Sequence, residues 1–328
     1  HEKMESIYLK ANATGLTSIC SNAIAVDHNI ANQLAITQQP STTAEAGIAL
    51  VTQPSVQILD VYNNYVDDGA HDLSVTPWTT SDCSTTQSLG NTTYTAPTTS
   101  SGATTFTDLA HQKMENIFYK ISSGVLATVC TDNIAVDHTT ANKITINQQP
   151  ATTAIAGVDF STQPAFDIRD QYDNLVDDGA HTISLAAFTD SNCSATSGGT
   201  FNSTPAATNS GALTFSNVDH QKMETIYLEA TAFGLQPICT SSITVDHNIA
   251  NQITIATQPS STAIAGVNFT TQPDYNIRDI FNNLVDDGAH TISLEAYTNI
   301  GCTVSSGGTF NQTAKISSSG NATFSGTN

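Results

Sequence analysis

Short runs in which every second residue is apolar recur along this chain. Leu34 and Ile36 alternate in QLAIT, and Ile144 and Ile146 in KITIN. Phe166 and Ile168 precede a polar turn, and Ile183 and Leu185 follow it. Leu213 with Phe215, Ile226 with Leu228 and Ile243 with Val245 continue the series. A period of two marks a strand with one buried face. Turn signals separate the runs: Asp178-Gly179, Gly198-Gly199 and Ser210-Gly211. No stretch sustains a helical period, so the pattern predicts an all-β chain.

The runs belong to a repeat. HEKMESIY at His1 returns as HQKMENIF at His111 and HQKMETIY at His220, intervals of 110 and 109 residues. IAVDHNIAN returns as IAVDHTTAN and ITVDHNIAN, and NNYVDDGAH as DNLVDDGAH and NNLVDDGAH. Seven or so strands in about 109 residues is the size and count of an immunoglobulin-like β-sandwich, so tandem sandwiches are expected. With a first strand beginning near Ala31-Asn32 and a last one ending in IAVDH, the boundaries follow. Residues 1–28 read as the C-terminal strands of a preceding domain. Residues 29–138 and 139–247 read as whole domains, and 248–328 as the N-terminal part of one that the next copy or subunit completes. The ends are in phase with the repeat and out of phase with the domains, which predicts continuation of the chain or exchange of strands with a neighbour.

The segments TQPxxxIRDxYxNLVDDG (Thr162 to Gly179), SGGTFN (Ser197 to Asn202), SGALTFSNV (Ser210 to Val218) and IYLEATAFGL (Ile226 to Leu235), with the closing ITV (Ile243 to Val245), span nearly all of a repeat. This pattern resembles the tandem bacterial immunoglobulin-like repeats of giant surface proteins and adhesins, in the broad invasin/intimin class. The resemblance implies spacers, stalks, fibres or adhesins at an extracellular cell surface. The chain departs from that pattern in carrying two cysteines and three histidines per repeat.

Composition narrows the partners. Acidic residues outnumber basic ones by 29 to 9 and the net charge is -20, although only 12% of residues are charged. An acidic, hydroxyl-rich surface repels phosphate backbones and anionic lipid, so nucleic acid is not an expected partner. No apolar run is long enough to insert in a membrane. The recurring polar groups sit in surface turns, once per repeat, without a nucleophile and base or a phosphate-cradling loop. No catalytic site is therefore expected.

The six cysteines contain no CxxC spacing, so a zinc ribbon or redox motif is not indicated. One pairing scheme, over the longer gaps, crosses the predicted domain boundaries. The other joins Cys83 to Cys130 and Cys193 to Cys239 within domains and leaves Cys302 for the Cys20 of the next copy. The second is expected, and it implies an oxidising compartment and export.

Each repeat also carries an acidic turn: Asp60, Asp67 and Asp68; Asp170, Asp177 and Asp178; Asp279, Asp286 and Asp287, with His71, His181 and His290 beside them. Each should face the linker that holds Asp27, Asp137 or Asp246, and His111 and Glu115 of the HxKME segment should lie near the same joint. Converging carboxylates and amide oxygens suit calcium at the joints between domains. Alternatively, the Asp and Asn side chains simply build the turn.

The function expected is a structural segment of a long extracellular filament or surface appendage, with copies of the chain as partners. The alternative is the stalk or binding repeats of an adhesin that recognises a receptor or glycan. The close similarity of the turns across repeats favours the first, since binding loops diverge.

Overall fold

The computed structural model describes residues 1–124 and 126–328. All regular structure among them is β, and the fold class is tandem immunoglobulin-like sandwiches. No helix is long and apolar enough to cross a membrane. The chain divides into two compact units, His1–Ala141 with Arg169–Val176, and Asn142–Ile168 with Asp177–Asn328.

In the first unit, two sheets face each other. One has the order Ala103–Thr105, Ser55–Leu59, Gln33–Gln38, all antiparallel. The other places Glu115–Ser122 between Ile134–Asp137 and Ser74–Trp78. Val129–Cys130 also pairs with Glu115–Ser122, and Thr43–Glu45 runs parallel to Ile134–Asp137 on the outer edge. The alternation decides which face is covered. Along Glu115–Ser122 the side chains of Ile117, Tyr119 and Ile121 are buried, whereas Asn116 is exposed. They meet Leu34, Val56, Ile58, Phe106 and Leu109 in one core.

The second unit repeats the plan. Lys143–Gln148, Ala165–Arg169 and Ala212–Thr214 form the three-stranded sheet. The larger sheet has the order Thr153–Ile155, Ile243–Asp246, Glu224–Ala232, Thr182–Phe188, Ala206–Ala207, with Ile238–Cys239 on the end of Glu224–Ala232. Ile226, Leu228 and Ala230 are its fully buried central row. Disulfides join Cys83 to Cys130 and Cys193 to Cys239, each with Cα atoms 6.2 Å apart. Closing loops of 47 and 46 residues stabilises each sandwich by roughly 4 kcal/mol in the chain-entropy description. Cys20 and Cys302 are free and exposed.

The ends of the chain carry partial sheets. Residues 248–328 form Gln252–Thr257, Asp274–Arg278 and Asn321–Thr323, plus the pair Thr291–Ser293 and Ala314–Ile316. Their core is small: Ile277, Val285, Ile292, Ala322 and Phe324. Ile253 is 56% exposed, whereas Ile144, its counterpart one repeat earlier, is 3% exposed. At the other end, Glu5–Ile7 pairs with Ile24–Val26 and Lys10–Ala11 with Ile19–Cys20. Leu9 there is 58% exposed, whereas its counterparts Tyr119 and Leu228 are wholly buried.

Burial therefore predicts unequal responses to truncation. Ile226→Ala should destabilise the chain by about 2–5 kcal/mol, the usual range for emptying a packed site. Ile253→Ser should change stability by no more than about 0.5 kcal/mol. Urea unfolding followed by circular dichroism measures both, and equal losses would mean that the face around Ile253 is covered.

Candidate functional site, the joint between repeats

In each repeat a tight turn begins with an aspartate that is fully buried: Asp60, Asp170 and Asp279. A buried carboxylate is tolerated only if its lone pairs are satisfied. Asp60 accepts from the backbone N–H groups of Tyr62 (2.9 Å) and Asn64 (2.8 Å) at Oδ1, and from Asn64 Nδ2 (2.9 Å) and Asn29 N (2.9 Å) at Oδ2. Asp170 takes Tyr172 N and Asn174 N at Oδ1, and Asn174 Nδ2 and Thr139 N at Oδ2. Asp279 takes Phe281 N, Asn283 N, Asn283 Nδ2 and Asn248 N in the same way. The residue before each asparagine is left-handed: Asn63 at φ 66°, Asp173 at 69° and Asn282 at 71°. Asn and Asp tolerate that conformation better than other side chains.

Burial alone would raise these three carboxyls. The hydrogen bonds each accepts outweigh it and hold all three below the ordinary range, Asp60 at about 2. Four donors also fill the four lone-pair sites of a carboxylate. These three aspartates thus organise the turn around themselves.

The asparagine fixed by this carboxylate reaches outward to the segment preceding it by about sixty residues. Asn64 Nδ2 donates to Glu2 O (2.7 Å) and its Oδ1 accepts from Met4 N (2.9 Å). Asn174 makes the same pair with Gln112 O and Met114 N, both 2.8 Å. Asn283 makes it with Gln221 O and Met223 N, both 2.8 Å. The side-chain amide acts as a peptide group, clasping the backbone of the HxKM segment on both sides. An aromatic ring adds to the clasp. A Cβ on Gly47 would lie 2.1 Å from Tyr172 Oη, and one on Gly157 would lie 2.1 Å from Phe281 Cζ. Only glycine leaves room for these rings.

The side chains of the HxKME segment bond within their own repeat. His111 is fully buried, its Nε2 3.0 Å from Glu115 Oε1 and its Nδ1 2.9 Å from Thr92 Oγ1. Ser88 donates to the same glutamate oxygen, and Lys113 holds the other at 2.9 Å. His220, Glu224, Ser197 and Lys222 repeat the knot. A Cβ on Gly90 or Gly199 would strike the histidine ring, at 2.3 and 2.6 Å. These histidines therefore serve their own sandwich, and the joint uses only the backbone of the segment.

The remaining acidic residues are exposed. Asp27, Asp137 and Asp246 each accept, through Oδ1, the N–H of the histidine that follows, at 2.8–2.9 Å. Asp67 and Asp68 approach His28, and Asp286 and Asp287 approach His247. Asp177 and Asp178 lie exposed before Gly179, whose φ is 64°. The glycine–aromatic contact escaped the sequence reading. Its signal was the spacing Asp-x-Tyr/Phe-x-Asn, which sets the ring two residues after the buried carboxylate.

No family model matches the chain, and no curated protein matches it. Among solved structures, a segment of the surface layer protein SbsC is 12% identical over 82% of this chain, with a TM-score of 0.28. The chain spans 40% of that segment's length. InvD of Yersinia pseudotuberculosis is 15% identical over 90% of this chain and 79% of its own, with a TM-score of 0.35. A tandem pair of titin immunoglobulin domains is 10% identical over 67% of this chain and 99% of its own, with a TM-score of 0.26. These likenesses are too distant to carry an argument about function.

Two outcomes follow from the clasp. Asn283→Ala leaves the buried Asp279 short of one donor, Gln221 O without its donor and Met223 N without its acceptor, a loss of about 1–3 kcal/mol. Faster exchange of the Met223 amide hydrogen, with the sandwich amides still protected, is the expected readout. The second outcome concerns acid. An unfolded aspartate titrates near 3.9, roughly two pH units above Asp60 in the fold. Stability from this carboxylate is thus complete well above pH 4 and is lost as pH falls through about 2. NMR signals of the Asn29 and Asn64 amides should titrate with a midpoint near 2; a midpoint near 4 would mean the carboxylate is not held in this way.

Proposed function

We propose that this chain is a run of structural repeats from a long extracellular filament or cell-surface appendage, in which each repeat grips the one before it. One observation carries the reading. The same asparagine clasp, fixed by the same four-donor carboxylate, occurs in the same atoms at Asn64, Asn174 and Asn283. A surface that binds a receptor is free to vary between copies. A joint that must transmit position from copy to copy is not.

Three further features support it. Disulfides fit an oxidising, exported setting. The net charge of -20 favours solubility over binding to anionic surfaces. The partial sheets complement one another: the row that Ile226 and Leu228 cover in the second repeat is open around Ile253, and residues 1–28 carry the covering strands with Leu9 exposed. In an array, the segment of the following copy that corresponds to 1–28 closes the sandwich begun by 248–328. Its Cys20 then meets Cys302, the counterpart of Cys83–Cys130 and Cys193–Cys239.

Electron microscopy of native cells with an antibody to this chain should show label at a fixed axial spacing along surface filaments. Label confined to the cell interior, or scattered without period, would sink the proposal. On non-reducing gels the oxidised 328-residue chain should form a ladder that Cys20→Ser and Cys302→Ser each abolish.

A further inference from the structure

His247 is the unused polar group of the joint. Its side chain is 8% exposed, and its Nε2 is buried without a hydrogen-bond partner. Its Nδ1 lies 2.8 Å from the carbonyl oxygen of Asn248. A carbonyl only accepts, so Nδ1 carries hydrogen and the neutral ring presents the Nε2 lone pair. That lone pair faces three carboxylate oxygens: Oδ1 of Asp287 at 3.3 Å, of Asp286 at 3.4 Å and of Asp246 at 3.9 Å. The Asp246, His247 and Asp286 donor atoms all lie within 4.8 Å of one another.

A proton does not account for this geometry. Where a side-chain hydrogen bond joins histidine to a carboxylate among the described residues, it goes to one oxygen at 2.8–3.0 Å, as at His1 with Glu5, His111 with Glu115 and His220 with Glu224. His247 instead stands off from three oxygens and bonds none. The arrangement recurs in the first unit. His28, 10% exposed, donates through Nδ1 to Asn29 O, and its Nε2 lies 3.4, 3.7 and 3.9 Å from Asp67, Asp68 and Asp27. Around a tetrahedral ion with ligands at about 2.0–2.1 Å, neighbouring donors are separated by roughly 3.3 Å. The two shortest separations at His247 match that edge. A carbonyl holding the far ring nitrogen is also the usual outer support of a ligating imidazole.

We propose that this cluster binds a divalent transition-metal ion of the zinc class, through His247 Nε2 with Asp246, Asp286 and Asp287. One imidazole nitrogen with carboxylates is a donor set for zinc and departs from the all-oxygen set calcium takes. The ion bridges the residues that close one repeat, Asp246 and His247, to the acidic turn of the next. It also removes the repulsion among three like charges.

The test uses the 328-residue chain, stripped with chelator and titrated calorimetrically with Zn²⁺ at neutral pH. His247→Ala should remove one equivalent of bound zinc. Asp286→Asn with Asp287→Asn, exposed changes that leave folding intact, should weaken that site by about tenfold or more. Cobalt(II) should give visible d–d absorption that the same variants lose, and His290→Ala should change neither readout. Zinc stoichiometry unaltered in His247→Ala, an equivalent lost with His290→Ala in place of His247→Ala, or calcium displacing zinc at equal concentration would each overturn the proposal.

Discussion

Every joint in this chain is organised around a carboxylate removed from water. Asp60, Asp170 and Asp279 would be costly in the interior if any lone pair were left empty. Four N–H donors prevent that, and each donor fixes a different part of the structure. Two backbone amides close the turn. The asparagine side chain is oriented for its outward clasp. The fourth donor, from Asn29, Thr139 or Asn248, anchors the chain where it enters the repeat. An asparagine in place of the aspartate would turn an N–H₂ toward donors and break the set. One charge therefore ties the entry of a repeat, its turn and its grip on the previous copy into a single unit.

Histidine serves two unlike purposes in the same repeat. His111 and His220 sit in knots where each Nε2 meets a glutamate oxygen that also takes a serine hydroxyl, with a lysine on the other oxygen. Burial is the main effect on His111 and lowers its pKa despite Glu115 beside it. His28 and His247 lie where carboxylates gather without bonding them. At His28 the Asn29 carbonyl bond leads the upward shift. At His247 burial opposes a rise that the Asn248 carbonyl and three carboxylates bring about. The first pair stiffens a sandwich, while His247 leaves coordinating capacity where two copies meet.

The open faces at the two ends follow from the same design. A sandwich needs both sheets to bury its alternating row, and each partial sheet here holds one half of that row. The other repeats show that arrangement within the chain: Ile144 covered, Leu228 and Tyr119 covered, and the cysteines at the edge of the larger sheet joined. The exposed Ile253 and Leu9 occupy positions that are buried in the other repeats.

The period-two rows, the turn dipeptides and the interval of about 109 residues were enough to specify an all-β tandem array, because strand alternation and glycine turns are local properties. The clustered Asp and Asn residues likewise pointed to a turn. What could not be read locally was which donors meet which acceptors across sixty residues. Asp60 and Asp67 are equally acidic in the sequence, yet one is saturated inside a turn and the other is exposed beside an imidazole. His111 and His28 look alike as residues beside acidic neighbours. Their difference lies in the packing of Gly90 against one ring and a backbone carbonyl against the other. Sequence determined the elements and their period. Tertiary structure decided how each polar group is satisfied, because satisfaction depends on partners that only folding brings within three ångströms.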